Sequence, residues 1–282
     1  MSNHQIVLVT GATGTLGRKI VDRLTAAGVR VRALTRNPTG ANLPEHVEVV
    51  RGDLTDPSSL GPALDGVTAL HLLTLTGEGN APLHTGEEIV AAAVAAGVRR
   101  ITVLGPGDGP VERAVAASGL EWTVLWPIDF MANTLDWAEA IRTEGVVREP
   151  FGGRRTASAD EADVAAVVAT VLVNGGHAGM RYTVTGPEAL TPGEKARAIG
   201  AALGREVRFE DLTPDQARAQ WAAQGWPEDG IEFMIDMWST VPPDVANVTT
   251  TVQEVTGRPP RRFADWAEQH APAFDGPGTH RT

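Results

Sequence analysis

Short apolar runs alternate with stretches of helical period through the first half of the chain. Ile6 to Thr10 is apolar and stops at Gly11, the pattern of a strand buried on both faces of a parallel sheet. Leu16, Ile20, Val21 and Leu24 then recur at helical spacing, and Gly28 closes that helix. Val31 to Thr35 and Val47 to Val50 read as the second and third strands. Asp56 followed by Pro57 predicts the cap and first turn of a short helix reaching Leu64. Val67 to Leu75 is apolar again, Glu87 to Ala96 is an alanine-rich helix ended by Gly97, and Arg100 to Leu104 is a strand. A helix around Val111 to Ala117 and a strand at Trp122 to Leu125 continue the alternation. This order predicts an α/β fold with a Rossmann-type doubly wound parallel sheet.

The second half is less regular. Phe130 to Arg142 and Glu161 to Val173 read as helices, Arg181 to Thr185 as a strand, Pro192 to Leu203 as a helix and Glu206 to Asp211 as a strand. Helical stretches near Pro214–Gln224, Ile231–Trp238 and Phe263–His270 follow. The expected organisation is a dinucleotide-binding domain over 1–128, to whose sheet later segments return, and a small mixed α/β substrate lobe with lid helices over 129–274. That lobe is expected over the carboxyl edge of the sheet, where open α/β sheets bind ligands. Residues 275–282, polar and rich in Gly and Pro, are expected to be a frayed tail.

The chain has 282 residues, with 24 Lys and Arg against 35 Asp and Glu, a net charge of −11. That balance argues against nucleic acid or an anionic membrane as a partner. The absence of cysteine excludes a disulfide scaffold, a thiolate metal site and a cysteine nucleophile. The start, Met1 to Gln5, runs into the first strand without a signal-peptide pattern, and no apolar run is long enough to span a bilayer. The expectation is a cytoplasmic protein, monomer or homodimer. There is one tyrosine, Tyr182, and there are two lysines, Lys19 and Lys195.

Gly11-Ala12-Thr13-Gly14-Thr15-Leu16-Gly17 lies between the first strand and the first helix, the context a dinucleotide fingerprint requires. Gly11 suits the tight turn, Gly14 the approach of a pyrophosphate and Gly17 close packing of helix on strand. The amides and dipole at the helix start favour phosphate. After the second strand, Thr35-Arg36-Asn37-Pro38 offers a guanidinium where a carboxylate would select the unphosphorylated dinucleotide, with Arg32 upstream. This favours NADPH over NADH through a 2′-phosphate on Arg36. In Gly52-Asp53-Leu54, Asp53 is placed either to bond the adenine amino group or to cap a turn.

These motifs, continued by Ala96-Gly97-Val98-Arg99, Glu112, Ser118 to Thr123, Phe130-Met131-Ala132-Asn133-Thr134, Thr185-Gly186-Pro187-Glu188 and Val255 to Pro259, resemble an NmrA-like atypical short-chain dehydrogenase/reductase along nearly the whole chain. The resemblance implies an NADP-binding Rossmann domain with a C-terminal substrate lobe. Its relatives include NADPH-dependent quinone reductases, reductases of aromatic natural products including polyketide ketones, and cofactor sensors without catalysis. At the strand ends, Leu54, then Leu73, Thr74 and Leu75, then Gly105 and Pro127 complete the expected cofactor contacts with Thr13, Thr15 and Leu16.

Reductases of the wider superfamily use a Tyr-x-x-x-Lys pair as proton donor. This chain has none: Gly186 follows Tyr182 by four, and the fifth strand ends in Gly105-Pro106, where serine is common. Two readings stay open. In one, the protein passes hydride to a ketone or quinone of an aromatic, polyketide-like compound while substrate phenol or water supplies the proton. In the other, it is a non-catalytic NADP(H) sensor. Asp129 is a candidate donor if a dry pocket raises its pKa, or else caps the next helix. His71 reads as a core or cofactor-edge residue. His84, beside Gly77 to Pro82, belongs to a loop able to fold over the nicotinamide or simply solvated. No metal site is expected. Trp126, Phe130, Met131, Trp137, Met234 and Trp238 suit either a wall for a flat conjugated ligand or core packing. Trp226 in its loop suggests a movable lid over Gln216–Trp238.

Overall fold

In the computed structural model, which describes residues 5–75, 82–105, 109–240 and 243–275, the glycine loop joins β1 (Ile6–Val9) to α1 (Thr15–Ala26). There follow β2 (Arg30–Thr35), β3 (Glu48–Arg51), α2 (Gly61–Leu64), β4 (Ala69–Leu72), α3 (Gly86–Ala95), β5 (Arg100–Leu104), α4 (Pro110–Ala117) and β6 (Glu121–Pro127). Beyond them come α5 (Ala138–Glu144), β7 (Val146–Pro150), α6 (Glu161–Asn174), β8 (Met180–Val184), α7 (Pro192–Leu203) and β9 (Arg208–Leu212). The last helices are α8 (Pro214–Ala223), α9 (Glu228–Ser239), α10 (Thr251–Thr256) and α11 (Phe263–Phe274). The expected tail beyond Asp275, the loop at 76–81 and residues 106–108 lie outside the described residues. No helix among the described residues is long and apolar enough to cross a membrane.

Two compact units emerge. The first comprises Met1–Pro127, Glu161–Val184 and Thr251–Arg258. Its seven strands run in the order β3-β2-β1-β4-β5-β6-β8, and every neighbouring pair is parallel. The order reverses between β1 and β4, the switch point at which doubly wound sheets take ligands. Leu8, Leu70, Leu72, Ile101, Val103 and Val124 of the strands pack with Ile89 and Val90 of α3 and with Val111 and Val115 of α4 in one core. Gly28 and Gly97 carry left-handed φ of 73° and 86° just after α1 and α3, a conformation that suits glycine.

Residues 161–184, within the span expected as the lobe, belong to this first unit. The composition of α6 explains it: nine of its residues are buried, from Glu161 to Leu172, so it is apolar nearly all round. It packs on α1, and β8 extends the sheet beside β6.

The second unit comprises Ile128–Asp160, Thr185–Thr250 and Pro259–Thr282. Its core joins Met131, Ile141, Val147, Ile199, Leu203, Phe263, Trp266 and Phe274. A capping box between Thr191 and Glu194 opens α7. The strand β7 was not apparent in the sequence, since Arg148, Glu149 and Pro150 break the apolar run; it pairs in parallel with β9. The helix expected over Phe130–Arg142 divides into a 3-10 turn, Met131–Trp137, and α5. Within that turn the Thr134 hydroxyl donates to the Met131 carbonyl at 2.7 Å, a local bond that competes with the α-helical ladder.

Candidate functional site

The glycine loop closes on itself. The Gly14 amide donates to the Gly11 carbonyl at 3.0 Å, and Gly11 has φ +61°. A Cβ at Gly17 would lie 2.7 Å from the Gly11 carbonyl carbon and 2.8 Å from Ala12 Cα, so α1 can sit this close to β1 only with glycine there. A Cβ at Gly11 would collide with Leu73 on the neighbouring strand end. Gly14, the N-cap of α1, is exposed and offers no side-chain acceptor to the helix. The first turn, with Thr15, Leu16 and Gly17, carries no acidic residue. Its amides and the positive end of the helix dipole are therefore open to an anion, which fits the pyrophosphate of a dinucleotide.

Arg36 is exposed immediately after β2, and its charge reaches Asp53 beyond β3. Arg32, weighed with it in the sequence, has a different task. Its side chain is buried, Nη1 donates to the carbonyls of Ala63 at 3.0 Å and Asp65 at 2.6 Å, and Nε lies 3.0 Å from a Glu48 carboxylate oxygen. It closes the end of α2 and is not placed to read a phosphate. Asp53 Oδ1 accepts from both the amide and the hydroxyl of Thr55, at 2.9 and 2.8 Å. Those two bonds, and then the Arg36 charge, hold its carboxyl below the usual range. Asp53 thus caps a turn with one oxygen. The Leu54 side chain packs against the core, and its carbonyl accepts from Thr85 Oγ1.

The remaining strand ends share this carboxyl edge. Thr10 donates to the His71 carbonyl through its amide and hydroxyl and accepts from the Leu73 amide, which ties β1 to β4 at the switch point. Thr74 Oγ1 donates to the Leu104 carbonyl at 2.6 Å, and the Gly105 amide to the Leu125 carbonyl at 3.0 Å. Leu73 and Thr74 are half-buried and Leu75 is exposed. A Cβ at Gly105 would come within 3.1 Å of the buried Glu112 carboxyl carbon, so that glycine makes room for a carboxylate. Trp126 and Pro127, both half-buried, end β6. His71 is inside the sheet: Nδ1 lies 2.9 Å from Thr102 Oγ1, and burial pulls its pKa down to about 4. His84 is exposed, and the loop that precedes it lies outside the described residues.

In the second unit, Asp129 is held in a network that sequence spacing did not reveal. Its Oδ2 lies 3.1 Å from Lys195 Nζ and accepts from Ser158 Oγ at 2.6 Å, and its Oδ1 accepts from Asn133 Nδ2 at 2.7 Å. Lys195 Nζ also donates to Thr156 Oγ1 at 2.9 Å and to Ser158 Oγ at 2.6 Å. Burial opposes ionisation of Asp129, but the Lys195 charge and these donors outweigh it and keep the pKa below the usual value. The raised pKa that a proton donor needs is absent, and this corrects the expectation for Asp129. Tyr182 sits on β8 of the first unit, where its hydroxyl lies 2.9 Å from His177 Nδ1.

The aromatic residues expected to meet substrate separate into groups. Met131 is buried in the core of the second unit, so it packs rather than lines; the 3-10 turn directs it inward. Phe130 is half-buried and bridges to Ala159. Trp137 and Trp238 are linked: Trp137 Nε1 donates to Glu149 at 2.9 Å, the other Glu149 oxygen takes Arg154 at 2.9 Å, and that guanidinium lies 4.4 Å from the Trp238 ring centroid. Met234 packs with Ile231, Ile235 and Trp221, and Trp226 is exposed and stacked on Trp221 at 5.9 Å. Glu149 and Arg154 had no sequence signal, because the strand that carries the first was itself not apparent.

A model of the NmrA-like family matches residues 3–103. The chain is 41% identical to a (4-alkanoyl-5-oxo-2,5-dihydrofuran-3-yl)methyl phosphate reductase of Streptomyces griseus, over 95% of this chain and 99% of that protein. It is 36% identical to an NAD(P)H azoreductase of Xenophilus azovorans, again over 95% of this chain and 99% of that protein. Among solved structures it resembles an NADPH-dependent quinone oxidoreductase of Escherichia coli complexed with NADPH. The TM-score is 0.80 at 26% identity, covering 93% of this chain and 99% of that one. With a sequence relationship that runs the length of both curated relatives and the glycine loop at the switch point of a parallel sheet, the chain belongs to the NmrA-like family.

Proposed function

We propose that this protein is an NADPH-dependent oxidoreductase that reduces a small organic acceptor. The observation that carries the reading is the Gly11–Gly17 loop: a helix start free of side-chain caps and of acidic residues, beside the exposed Arg36. The loop and first-turn amides hold the pyrophosphate. Arg36 takes the 2′-phosphate, and the free oxygen of Asp53 faces the adenine side. Leu73, Thr74, Leu75, Gly105 and Pro127 complete the cofactor contacts along the same sheet edge. When bound, the nicotinamide supplies the hydride. Two named reductases related over nearly their whole length support catalysis over sensing alone.

The acceptor we propose is a ketone or quinone in an aromatic, polyketide-like compound, with Phe130, Trp137, Trp226, Met234 and Trp238 supplying the surface for a flat ligand. The proton comes from an acidic phenol of the substrate or from water. Tyr182 is bonded to His177, Lys195 to Asp129 and two hydroxyls, and the Lys195 charge holds the Asp129 carboxyl below the usual range. A quinone or a phenol-flanked ketone suits such a site, since its developing negative charge is delocalised or internally bonded. The test is NADPH consumption against a panel of quinones, aromatic ketones and azo dyes. Turnover with quinones or phenolic ketones is expected. Tight NADPH binding with consumption at background across the whole panel would overturn the reading in favour of a sensor.

A further inference from the structure

Arg18, on the first turn of α1, spans two segments that the cofactor site needs in register. Its Nε donates to the Thr13 carbonyl of the glycine loop at 3.0 Å. Its Nη1 donates to the Asn42 carbonyl at 2.6 Å and its Nη2 to the Ala41 carbonyl at 2.8 Å. All three nitrogens of one planar guanidinium are thus committed to backbone, which fixes both the distance and the angle between the two segments. Asn42 turns the chain here with φ +52°, a left-handed conformation that asparagine adopts more readily than other side-chain-bearing residues, and Arg18 holds the carbonyls on either side of that turn's start. Ala41 beside it is buried, and its amide donates to the Pro38 carbonyl. The segment back to Arg36 is itself braced: the Asn37 amide donates to Thr35 Oγ1 at 3.2 Å, and Thr39 Oγ1 donates to Asn37 Oδ1 at 2.8 Å.

We propose that Arg18 is the positioning residue for NADPH selectivity: it locks the Arg36–Asn42 segment to the glycine loop, so that Arg36 is preorganised at the 2′-phosphate while the amides of α1 hold the pyrophosphate. The inference rests on the reading that Arg36 takes the 2′-phosphate. Preorganisation matters because an arginine on an untethered loop gives back much of its binding energy in ordering that loop. Lysine at this position would keep the positive charge but could not reach three carbonyls that diverge in one plane.

The test is fluorescence titration with NADPH and with NADH of the full chain and its Arg18→Lys, Arg18→Ala, Arg36→Ala and Arg18→Ala/Arg36→Ala variants, each checked for a cooperative thermal transition. Both Arg18 variants are expected to lower the ratio of NADPH to NADH affinity by roughly tenfold, the scale of a charge-assisted contact. The double variant is expected to lose no more of that ratio than Arg36→Ala. The more conservative Arg18→Lys keeps the result readable if Arg18→Ala fails to fold. An unchanged ratio in Arg18→Lys, or additive losses in the double variant, would overturn the proposal while leaving the role of Arg36 intact. An unchanged ratio in Arg36→Ala would instead remove the 2′-phosphate reading on which it rests.

Discussion

Lys195 Nζ lies 3.1 Å from Asp129 Oδ2, with 8% and 12% of the two side chains exposed, and Ser158 and Thr156 complete the shell around both groups. One of the two lysines in the chain is therefore spent on joining the segment after β6 to α7. An ion pair this deep contributes less when intact than its loss costs when one partner is removed. Lys195→Met is expected to destabilise the protein by about 3–5 kcal/mol, because Asp129 would be left buried without its counter-charge. The double variant Lys195→Met/Asp129→Asn should recover part of that loss in chemical denaturation. If the double variant were as unstable as the sum of the singles, the pair would not be coupled.

Gly17→Ala is the corresponding test of the glycine loop. The added methyl meets the Gly11 carbonyl and Ala12 Cα, both backbone, so α1 or the loop must shift. Overpacking of this kind costs about 1–3 kcal/mol, and the displaced amides are expected to weaken NADPH binding by more than tenfold. Calorimetric titration checks the affinity and thermal melting the stability; wild-type values for both would contradict the packing described.

The sequence made this loop legible because glycine spacing, strand and helix start are all local features. Seven of the eight strands up to β8 were legible too, β7 being the exception, and those buried on both faces read as continuous apolar runs. What escaped depends on residues far apart in the chain. Asp129 meets Lys195 across 66 positions and Arg18 meets Asn42 across 24, and neither pairing leaves a periodic trace. The 3-10 turn at Met131–Trp137 was hidden for a different reason: its apolar spacing is helical, but the bond from Thr134 to Met131 favours a tighter turn.

His71 gives a pH dependence. Its pKa in the folded state is about 4 against an ordinary 6.5, with burial as the cause. Between those values the unfolded chain binds a proton that the folded protein does not, so stability is full above pH 6.5 and declines as the pH falls toward 4. The decline over that window is expected to be about 3 kcal/mol. His71→Asn, which keeps a polar atom near Thr102, should flatten this limb in denaturation curves taken across the range. Equal slopes for the variant and the wild type would show that His71 is not the group responsible.

On the proposed function, hydride passes from NADPH to an acceptor without a tyrosine–lysine proton donor. The most direct measurement uses NADPH with both nicotinamide C4 hydrogens replaced by deuterium, with a phenol-flanked aromatic ketone as acceptor, and locates the label in the product. Deuterium on the former carbonyl carbon, formed at a rate that depends on the protein and unaffected by Tyr182→Phe, is the predicted result. Binding of NADPH with no label in any product, or a rate abolished by Tyr182→Phe, would contradict it.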